Sequence, residues 1–503
     1  MYFSSYTSMT KVQIPRTVNC VKTNLNNAFN NIRSLKTVNI NISVANIANM
    51  CVNCQNLTTA VIPYDNVTNM SGTYWNCFNL TGTPICGDKV TDMSHAYRNC
   101  TKLTGSAVCG PNVTNMAIAY ADCANLTGSA VCGDKVTNMH QTYVGCYNLT
   151  TPVCGPNVTS MPWTYQYCYN FITAVCGDKV TDMTSTYYQC INLKTPVCGP
   201  KVTNMSSTYY NCQNLTTAVC GNNVVSMTST YVGCYNLKTP VCGPNVTRMN
   251  NTYQNCYNLK TPVCGPNVTS MNNTYYNCIN LTTAVCGDKV TDMTNTYRNC
   301  TNLTGSAVCG PNVTSLFATY YGCKNLTTAV CGPNVTNMHY AYQNCTNLTT
   351  AVCGDKVTSL FGAYAGCIKL TTPVCGDKVT NMSYAYSNCT NLTSVVFGPN
   401  VTSIYNAYEG CNIHGNVYLS SNKVTSASSC FRSRNASNRL NLYVHNGSTT
   451  LNTCLYNNTS SLTGYNTYWT NDMSTNGYYY NATRNIYIYP VANVEEARIA
   501  NGD

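Results

Sequence analysis

The chain has 503 residues, of which only 9% are charged, and its formal net charge is +11. It has no block of Lys and Arg, and glutamate occurs only at Glu409, Glu495 and Glu496. This composition argues against a nucleic-acid-binding protein and against the paired carboxylates of a glycosidase. No stretch approaches the roughly 18 apolar residues that a membrane-spanning helix needs.

Residues 1–46 contain irregular units. They lack the basic region followed by a continuous apolar run that is typical of a secretory signal peptide, so we expect a protein made without a recognisable signal peptide. Leu25, Phe29 and Ile32 have roughly the spacing found in later units. Terminal repeats are often atypical, so residues 1–46 are predicted to be an N-terminal cap with irregular first coils.

Residues 47–414 repeat one unit of 22 or 23 residues. In nearly every unit a hydrophobic opening residue is followed by Tyr four places later, Cys seven places later and Leu ten places later, as in Met183, Tyr187, Cys190 and Leu193. Such offsets place the four side chains on one face of a short helix or helical turn. A fixed period of this length predicts a repeat solenoid, in which stacked coils share a core.

A short alternating segment completes each unit. In the sequence TAVCG of residues 217–221, for example, Gly ends the alternation, which predicts a very short β-strand before a turn. In irregular units the place of this Cys is taken by Ile40, Ile62 or Phe397. We therefore expect the strand Cys to face the core and the preceding Val to face outward, in about 18–20 coils.

The repeat weakens towards the C-terminus. Residues 415–460 are predicted to form degenerate coils, with Val424, Ala427 and Phe431 still near the unit spacing. Residues 461–503 lose the pattern, and alternation around Ile486 and Ile488 indicates a β-hairpin or edge strand. Because the open end of a solenoid exposes its core and a strand edge, residues 461–503 are predicted to be a β-rich cap that ends in a short helical segment.

The 35 cysteines fall mainly into two columns, a column being the equivalent residues of successive coils. In neighbouring coils the Cα–Cβ bonds of these cysteines are expected to be parallel and about 4.8 Å apart. A disulfide needs its two Cβ atoms about 3.8 Å apart. We favour buried thiols, with disulfides as the alternative for a secreted chain. Cys51 and Cys54 form a C-x-x-C pair, but they fall on core places of a coil and no second pair accompanies them, so no metal site is predicted.

Histidine gives no sign of catalysis. The five histidines do not recur in one column and none has an evident carboxylate partner. We therefore predict no catalytic residue and no cofactor, and a protein that is not an enzyme. An enzyme built on a solenoid scaffold is the disfavoured alternative.

The repeated string L-x-x-x-V-C-G-x-x-V-T-x-M-x-x-x-Y-x-x-C-x-x-L resembles the BspA-like leucine-rich repeat and the similar lipoprotein-type repeat V-T-x-M-x-x-M-F-x-x-C. Here Tyr replaces the usual Phe, and Cys-Gly replaces the usual Ile-Pro in most units. The resemblance covers roughly residues 12–455. It implies a leucine-rich-repeat solenoid of the type found in microbial surface adhesins and in some phage and viral surface proteins. It supplies no catalytic residues.

Candidate ligand-binding residues lie in two outward columns that are rich in aromatic residues, five and eight places after the opening residue. Tyrosine and tryptophan combine a large apolar ring with a polar tip, which suits stacking on sugars or packing against a protein. The alternative is that single exposed rings merely cover the turn. The candidates are Trp75, Tyr147, Tyr169, Tyr188, Tyr210, Tyr235, Tyr257, Tyr276 and Tyr321.

These features indicate an elongated, non-enzymatic recognition or structural protein. The first hypothesis is a virion-exposed fibre or decoration protein that adheres to a host-surface glycan or protein. The second is a BspA-type adhesin on a bacterial or protist cell. The third is a structural spacer that binds other virion or surface proteins through its ends. Homo-oligomer formation is left open, and no nucleic-acid partner or transmembrane segment is expected.

Overall fold

The computed structural model describes residues 6–14, 24–419, 423–427, 429–432, 437–445, 470–471, 479–481 and 486–502. The predicted solenoid is confirmed, with about 17 turns. This is slightly below the 18–20 turns expected, and the expected coils between residues 446 and 460 lie outside the described residues, as do Cys20 and Cys454. The chain forms two compact units, Met1–Tyr257 and Asn258–Asp503.

Regular strands are sparse in the coils of both units. The first unit contains β1 (Lys11–Ile14), β2 (Thr37–Ile40) and β3 (Thr59–Val61), paired in parallel, and the parallel pair β4 (Gly128–Ser129) and β5 (Leu149–Thr151). The second unit contains the parallel pair β6 (Gly305–Ser306) and β7 (Leu326–Thr328). Many other coils are joined by single parallel bridges, such as Asn69 with Asp92.

The segment predicted as a helix or helical turn is a series of tight turns and not an α-helix. Within it, backbone N–H groups bond to carbonyl groups three residues earlier, as from Cys77 to Tyr74 over 3.0 Å. The intervening N–H groups bond to the next coil, as from Tyr74 to Ala96 over 2.8 Å. Asn273 and Asn277, four residues apart, have φ of +52° and +60°, which an α-helix excludes. Asparagine tolerates this left-handed conformation better than most residues.

In most regular coils the hydroxyl of the inner tyrosine bonds to backbone groups on the opposite side of the coil. Tyr187 is fully buried, and its hydroxyl donates to the Val175 carbonyl over 2.7 Å and accepts from the Val175 N–H over 2.8 Å. Equivalent bonds join Tyr231 with Val219 and Tyr297 with Val285. The hydroxyl thus satisfies backbone groups that a strand neighbour would otherwise pair, which a phenylalanine at this place could not do.

The two cysteine columns have different environments. In the turn column Cys100 is fully buried, and its thiol donates to the Tyr74 carbonyl of the preceding coil over 3.0 Å. In the strand column Cys86 is half-buried and accepts from the Gly110 N–H over 3.3 Å. Gly110 directly follows Cys109 of the same column, and a Cβ atom on it would lie only 2.6 Å from the Gly87 carbonyl oxygen, so the tight stacking requires glycine at this place. The structure carries these side chains as thiols.

The expected division between an inward Cys and an outward Val is only partly correct. Val175 and Cys176 are both half-buried, and Ala174 is the residue of this segment that is buried. The Tyr187 hydroxyl holds the Val175 backbone against the core, so both side chains lie near its rim. A strict alternation of inward and outward side chains therefore does not hold in this segment, because its backbone bonds to the Tyr187 hydroxyl and not to a neighbouring strand.

A five-stranded sheet lies at the C-terminal end of the second unit. It contains β8 (Gly415–Leu419), β9 (Leu440–His445), β10 (Thr470–Asn471), β11 (Tyr479–Asn481) and β12 (Ile486–Val491), in the order β10–β11–β12–β9–β8. Strand β9 pairs in parallel with β8 and β12, whereas β11 pairs antiparallel with β10 and β12. Its buried residues are Val417, Leu419, Leu440, Leu442, Val444, Ile486 and Ile488.

A short helix, α1 (Val494–Ala500), follows this sheet. The Asn493 side chain caps its first turn by accepting from the N–H groups of Glu495 and Glu496. Glu495 also pairs with Arg498 along the exposed helix surface. This is the only α-helix among the described residues. No helix in the described part of the chain is long and apolar enough to cross a membrane.

Candidate binding surface

The turn places neighbouring tyrosines on opposite sides of the backbone. Tyr187 and Tyr209 are fully buried, whereas the next residues, Tyr188 and Tyr210, are partly exposed. All nine predicted aromatic residues are at least partly exposed, and Tyr147 and Tyr257 are the most exposed, at 40% and 36%. Since successive coils stack in register, aromatic residues in one column become lateral neighbours.

Six of the predicted residues form three stacked pairs in the Met1–Tyr257 unit. The ring centroids of Tyr147 and Tyr169 are 5.1 Å apart, and those of Tyr188 and Tyr210 are 4.6 Å apart. Tyr235 and Tyr257 are separated by 5.0 Å, with an interplanar angle of 2°. The candidate side chains in these coils are therefore not solitary rings: each packs against its neighbour and stays at least partly exposed.

Tyr167, which is not among the predicted residues, connects the Tyr147–Tyr169 pair with the Tyr188–Tyr210 pair. Its ring meets Tyr169 edge-on at 6.5 Å and Tyr188 at 6.0 Å. It stands six places after its opening residue, in a column otherwise rich in Asn and Gly, and has φ of +66°. The resulting tyrosine cluster comprises Tyr147, Tyr167, Tyr169, Tyr188 and Tyr210. Tyr167 could not be recognised from the repeat, because tyrosine does not recur at this place in other coils.

Three predicted residues have a different environment, because arginine covers their rings. The Arg98 guanidinium lies 5.2 Å from the Trp75 centroid. In the Asn258–Asp503 unit, Arg298 lies 4.2 Å from the Tyr321 centroid and 5.9 Å from that of Tyr276. Such cation–π contacts occupy aromatic faces that a ligand could otherwise use. The signal was present in the sequence, since each Arg stands in the same column as the ring of an adjacent coil.

Burial favours the neutral form of two tyrosines in the cluster. Burial, followed by the neighbouring Tyr147 and Tyr167, raises the pKa of Tyr169 above its ordinary value of 10. Burial also raises the pKa of Tyr188, with Tyr210 as the next cause. Gln166 and Gln189 flank these rings in sequence. The surface therefore offers neutral rings, hydroxyl groups and amides, which suit contact with a hydroxylated or peptide-like ligand.

Metal chemistry has no evident site in the described part of the chain, which contains no grouping of three His, Cys, Asp or Glu residues suited to holding an ion. Cys51 and Cys54 are fully buried in a coil. His95 lies against the Trp75 ring at 5.4 Å, and burial, together with Arg98, lowers its pKa. These residues are accounted for by packing.

The repeat found in the structure matches a known family. The BspA type leucine rich repeat region matches residues 1–104, 118–238, 183–304, 247–371 and 362–484, which together include most of the chain. The chain belongs to the BspA-type leucine-rich-repeat family. In this BspA-type chain, the repeat includes a tyrosine hydroxyl that bonds to the backbone across the coil, as at Tyr187. Comparison with functionally curated proteins found no match.

Solved structures with similar folds include bacterial leucine-rich-repeat proteins. A leucine-rich repeat protein from Bacteroides ovatus has 17% identity and a TM-score of 0.50, over 61% of this chain and 82% of that protein. A leucine rich cell surface protein from Faecalibacterium prausnitzii has 16% identity, a TM-score of 0.22 and coverage of 81% and 79%. YopM from Yersinia enterocolitica has 10% identity, a TM-score of 0.38 and coverage of 78% and 82%. The first of these supports the fold of the BspA-type chain.

Proposed function

We propose that this BspA-type chain is a non-enzymatic surface protein that mediates adhesion through the tyrosine cluster. The observation that carries the proposal is the junction at Tyr167, which unites two outward columns into one aromatic surface spanning four coils. Tyrosine is enriched at binding surfaces because a rigid ring provides contact area while its hydroxyl forms hydrogen bonds.

The shape of the cluster favours an extended ligand. Its rings follow one another across coils about 4.8 Å apart, so a chain laid along the surface meets a new aromatic edge at each step. A host-surface glycan or an extended segment of a partner protein has this form. The uncharged cluster gives no preference for acidic ligands, which places recognition on shape, ring contact and hydrogen bonds.

The proposed location is a surface exposed to host cells. A virion-exposed fibre or decoration protein and a BspA-type adhesin on a bacterial or protist cell would use the cluster in the same way. Immunogold labelling of virions and of whole cells from the source organism distinguishes the two, since gold particles should follow the structure that displays the protein.

The binding role is tested with the double variant Tyr169→Ser/Tyr188→Ser. We expect weaker attachment of the purified protein to a panel of bacterial, protist and animal cells, because two adjoining rings are removed from the cluster. The matched control is Ile172→Ser/Val225→Ser, which removes two apolar side chains that are each 46% exposed and lie outside the cluster. Equal attachment of both double variants would contradict the proposal and favour a spacer that binds through its ends.

A further inference from the structure

A notch on the Asn258–Asp503 unit lies in the coil that opens at Leu360. At the second, fifth and sixth places after Leu360 stand Gly362, Ala365 and Gly366, the smallest combination at these places in any regular coil. The missing side chains leave a depression of about 480 Å³. Its size falls within the range of small-molecule sites, about 300–1,000 Å³.

The preceding coil forms the first wall of the notch through Tyr340, Gln343 and Asn344. The Tyr340 ring lies across Gly362, where an added Cβ atom would come within 2.6 Å of its Cδ1 atom. The side chains of Tyr340 and Gln343 form no hydrogen bond with any residue in the described ranges, so both polar tips are available to a ligand. The absence of a side chain at Gly362 thus allows the Tyr340 ring to pack over this residue and leaves the bottom of the notch open.

The following coil forms the second wall through Tyr384, Ser387 and Asn388. Phe361 stands between the walls, with its centroid 5.2 Å from Tyr340 at 89° and 5.6 Å from Tyr384 at 66°. This edge-to-face packing fixes the two tyrosines on either side of the notch. Each wall therefore presents one aromatic ring together with amide or hydroxyl groups.

No residue that lines the notch is charged. The Glu409 carboxylate, in the coil that adjoins the second wall, is already paired with Arg432, whose Nε donates to it over 2.6 Å. An ionic ligand would lose hydration without finding a counter-charge, whereas a neutral ligand with several hydroxyl groups would not. The lining thus favours a neutral ligand whose shape allows contact with the aromatic rings and whose polar groups form hydrogen bonds with the amide and hydroxyl groups.

We propose that this notch binds one neutral pyranose ring, such as the terminal hexose or N-acetylhexosamine of a glycan. A pyranose has an apolar C–H face that can pack on Tyr340 or Tyr384 and equatorial hydroxyl groups that can reach Gln343 and the wall amides. Binding is non-covalent. The site is separate from the tyrosine cluster in residues, and its loss would leave the proposed adhesion through that cluster in place.

Saturation-transfer NMR with methyl glycosides of glucose, galactose, mannose, N-acetylglucosamine and N-acetylgalactosamine tests the site. At least one neutral pyranoside should receive saturation, with the strongest transfer to the C–H protons of one face. The variant Ala365→Gln introduces the residue that the preceding coil carries in the same column, Gln343, and should weaken binding by about tenfold or more by filling the floor.

The matched control is Val144→Gln, the same kind of change in the same column of the Met1–Tyr257 unit, and it should bind as the native protein does. Tyr384→Ala, which removes one wall without filling the floor, should also weaken binding. The proposal is overturned if no neutral pyranoside receives saturation, if methyl glucuronide binds in their place, or if Ala365→Gln binds like the native protein while its circular-dichroism spectrum is unchanged.

Discussion

The inner tyrosine column and the outward tyrosine cluster use the same residue type for different purposes. Tyr187 is fully buried, and its hydroxyl is bonded to the backbone of Val175 across the coil. Its neighbour Tyr188 lies on the outer side and stacks on Tyr210. The two neighbours differ in burial and in the partner of the side chain: the inner hydroxyl replaces strand pairing, whereas the outward ring stacks on another ring and stays partly exposed.

The largest difference between inner and outward tyrosines is expected at alkaline pH. Burial raises the pKa of Tyr187 well above 10, so its neutral form is favoured in the folded protein. Burial likewise raises the pKa of Cys132 from its ordinary value of 9.0 to about 12. The stability that these groups contribute is therefore present below pH 9 and lost as the pH rises from about 9 towards 12, because the unfolded chain ionises first.

Absorbance at 295 nm and circular dichroism, recorded during one titration, check this expectation. Outward tyrosines should ionise while the dichroism is still native, and the inner tyrosines only together with its loss. Complete ionisation of all tyrosines before any change in dichroism would show that the inner hydroxyl groups are accessible.

The second largest effect is expected for truncation of an inner ring. Tyr187→Ala removes a fully buried aromatic side chain that stacks on Tyr165 and Tyr209, and should lower the free energy of unfolding by about 3–5 kcal/mol. Tyr188→Ala should cost clearly less, because the outward ring is partly exposed. Thermal and urea melts of the two variants provide the test, and the opposite ranking would contradict the assignment of inner and outer columns.

Removal of the inner hydroxyl alone should have an intermediate effect. Tyr187→Phe keeps the ring but leaves the N–H and carbonyl groups of Val175 without their partner, at a cost of about 1–3 kcal/mol. Tyr147→Phe, which removes the hydroxyl of a ring that is 40% exposed, is the control and should change stability little. Equal urea midpoints for native protein and Tyr187→Phe would mean that the hydroxyl bonds are dispensable.

The smallest expected stability change is that of Tyr188→Ser. Stacked aromatic pairs add roughly 0.5–1.5 kcal/mol beyond their buried area, so loss of the pair with Tyr210 should lower the melting temperature only slightly. Val285→Thr, a half-buried aliphatic position at the rim of the core, should also cost little. A loss for Tyr188→Ser as large as that for Tyr187→Ala would identify the cluster as a structural element.

The core could be predicted from the sequence because each of its columns repeats in every coil. Met183, Tyr187, Cys190 and Leu193 are all fully buried, as the spacing required. The same spacing predicts a helical turn, but positive φ at the second and sixth places after the opening residue breaks the helix, and spacing alone does not report the sign of φ. Asn at such places, as in Asn273 and Asn277, was the available signal.

Binding surfaces were harder to predict, because they depend on residues that occur once. The outward pairs follow from a column plus the stacking register, so Tyr188 and Tyr210 could be selected in advance. Tyr167 joins two outward columns through its contacts with rings of both. Gly362 contributes to the notch because it has no side chain to fill it. Neither effect is visible until neighbouring coils are placed side by side.

The central claim, that outward tyrosines bind while inner tyrosines hold the fold, is tested most directly on two double variants. Cell attachment and melting temperature are measured for Tyr188→Ser/Tyr210→Ser and for Tyr187→Phe/Tyr209→Phe. We expect the outward pair to lose attachment with a small change in melting temperature, and the inner pair to melt earlier but still attach at temperatures where it is folded. Attachment that follows the melting temperature in both variants would contradict the claim.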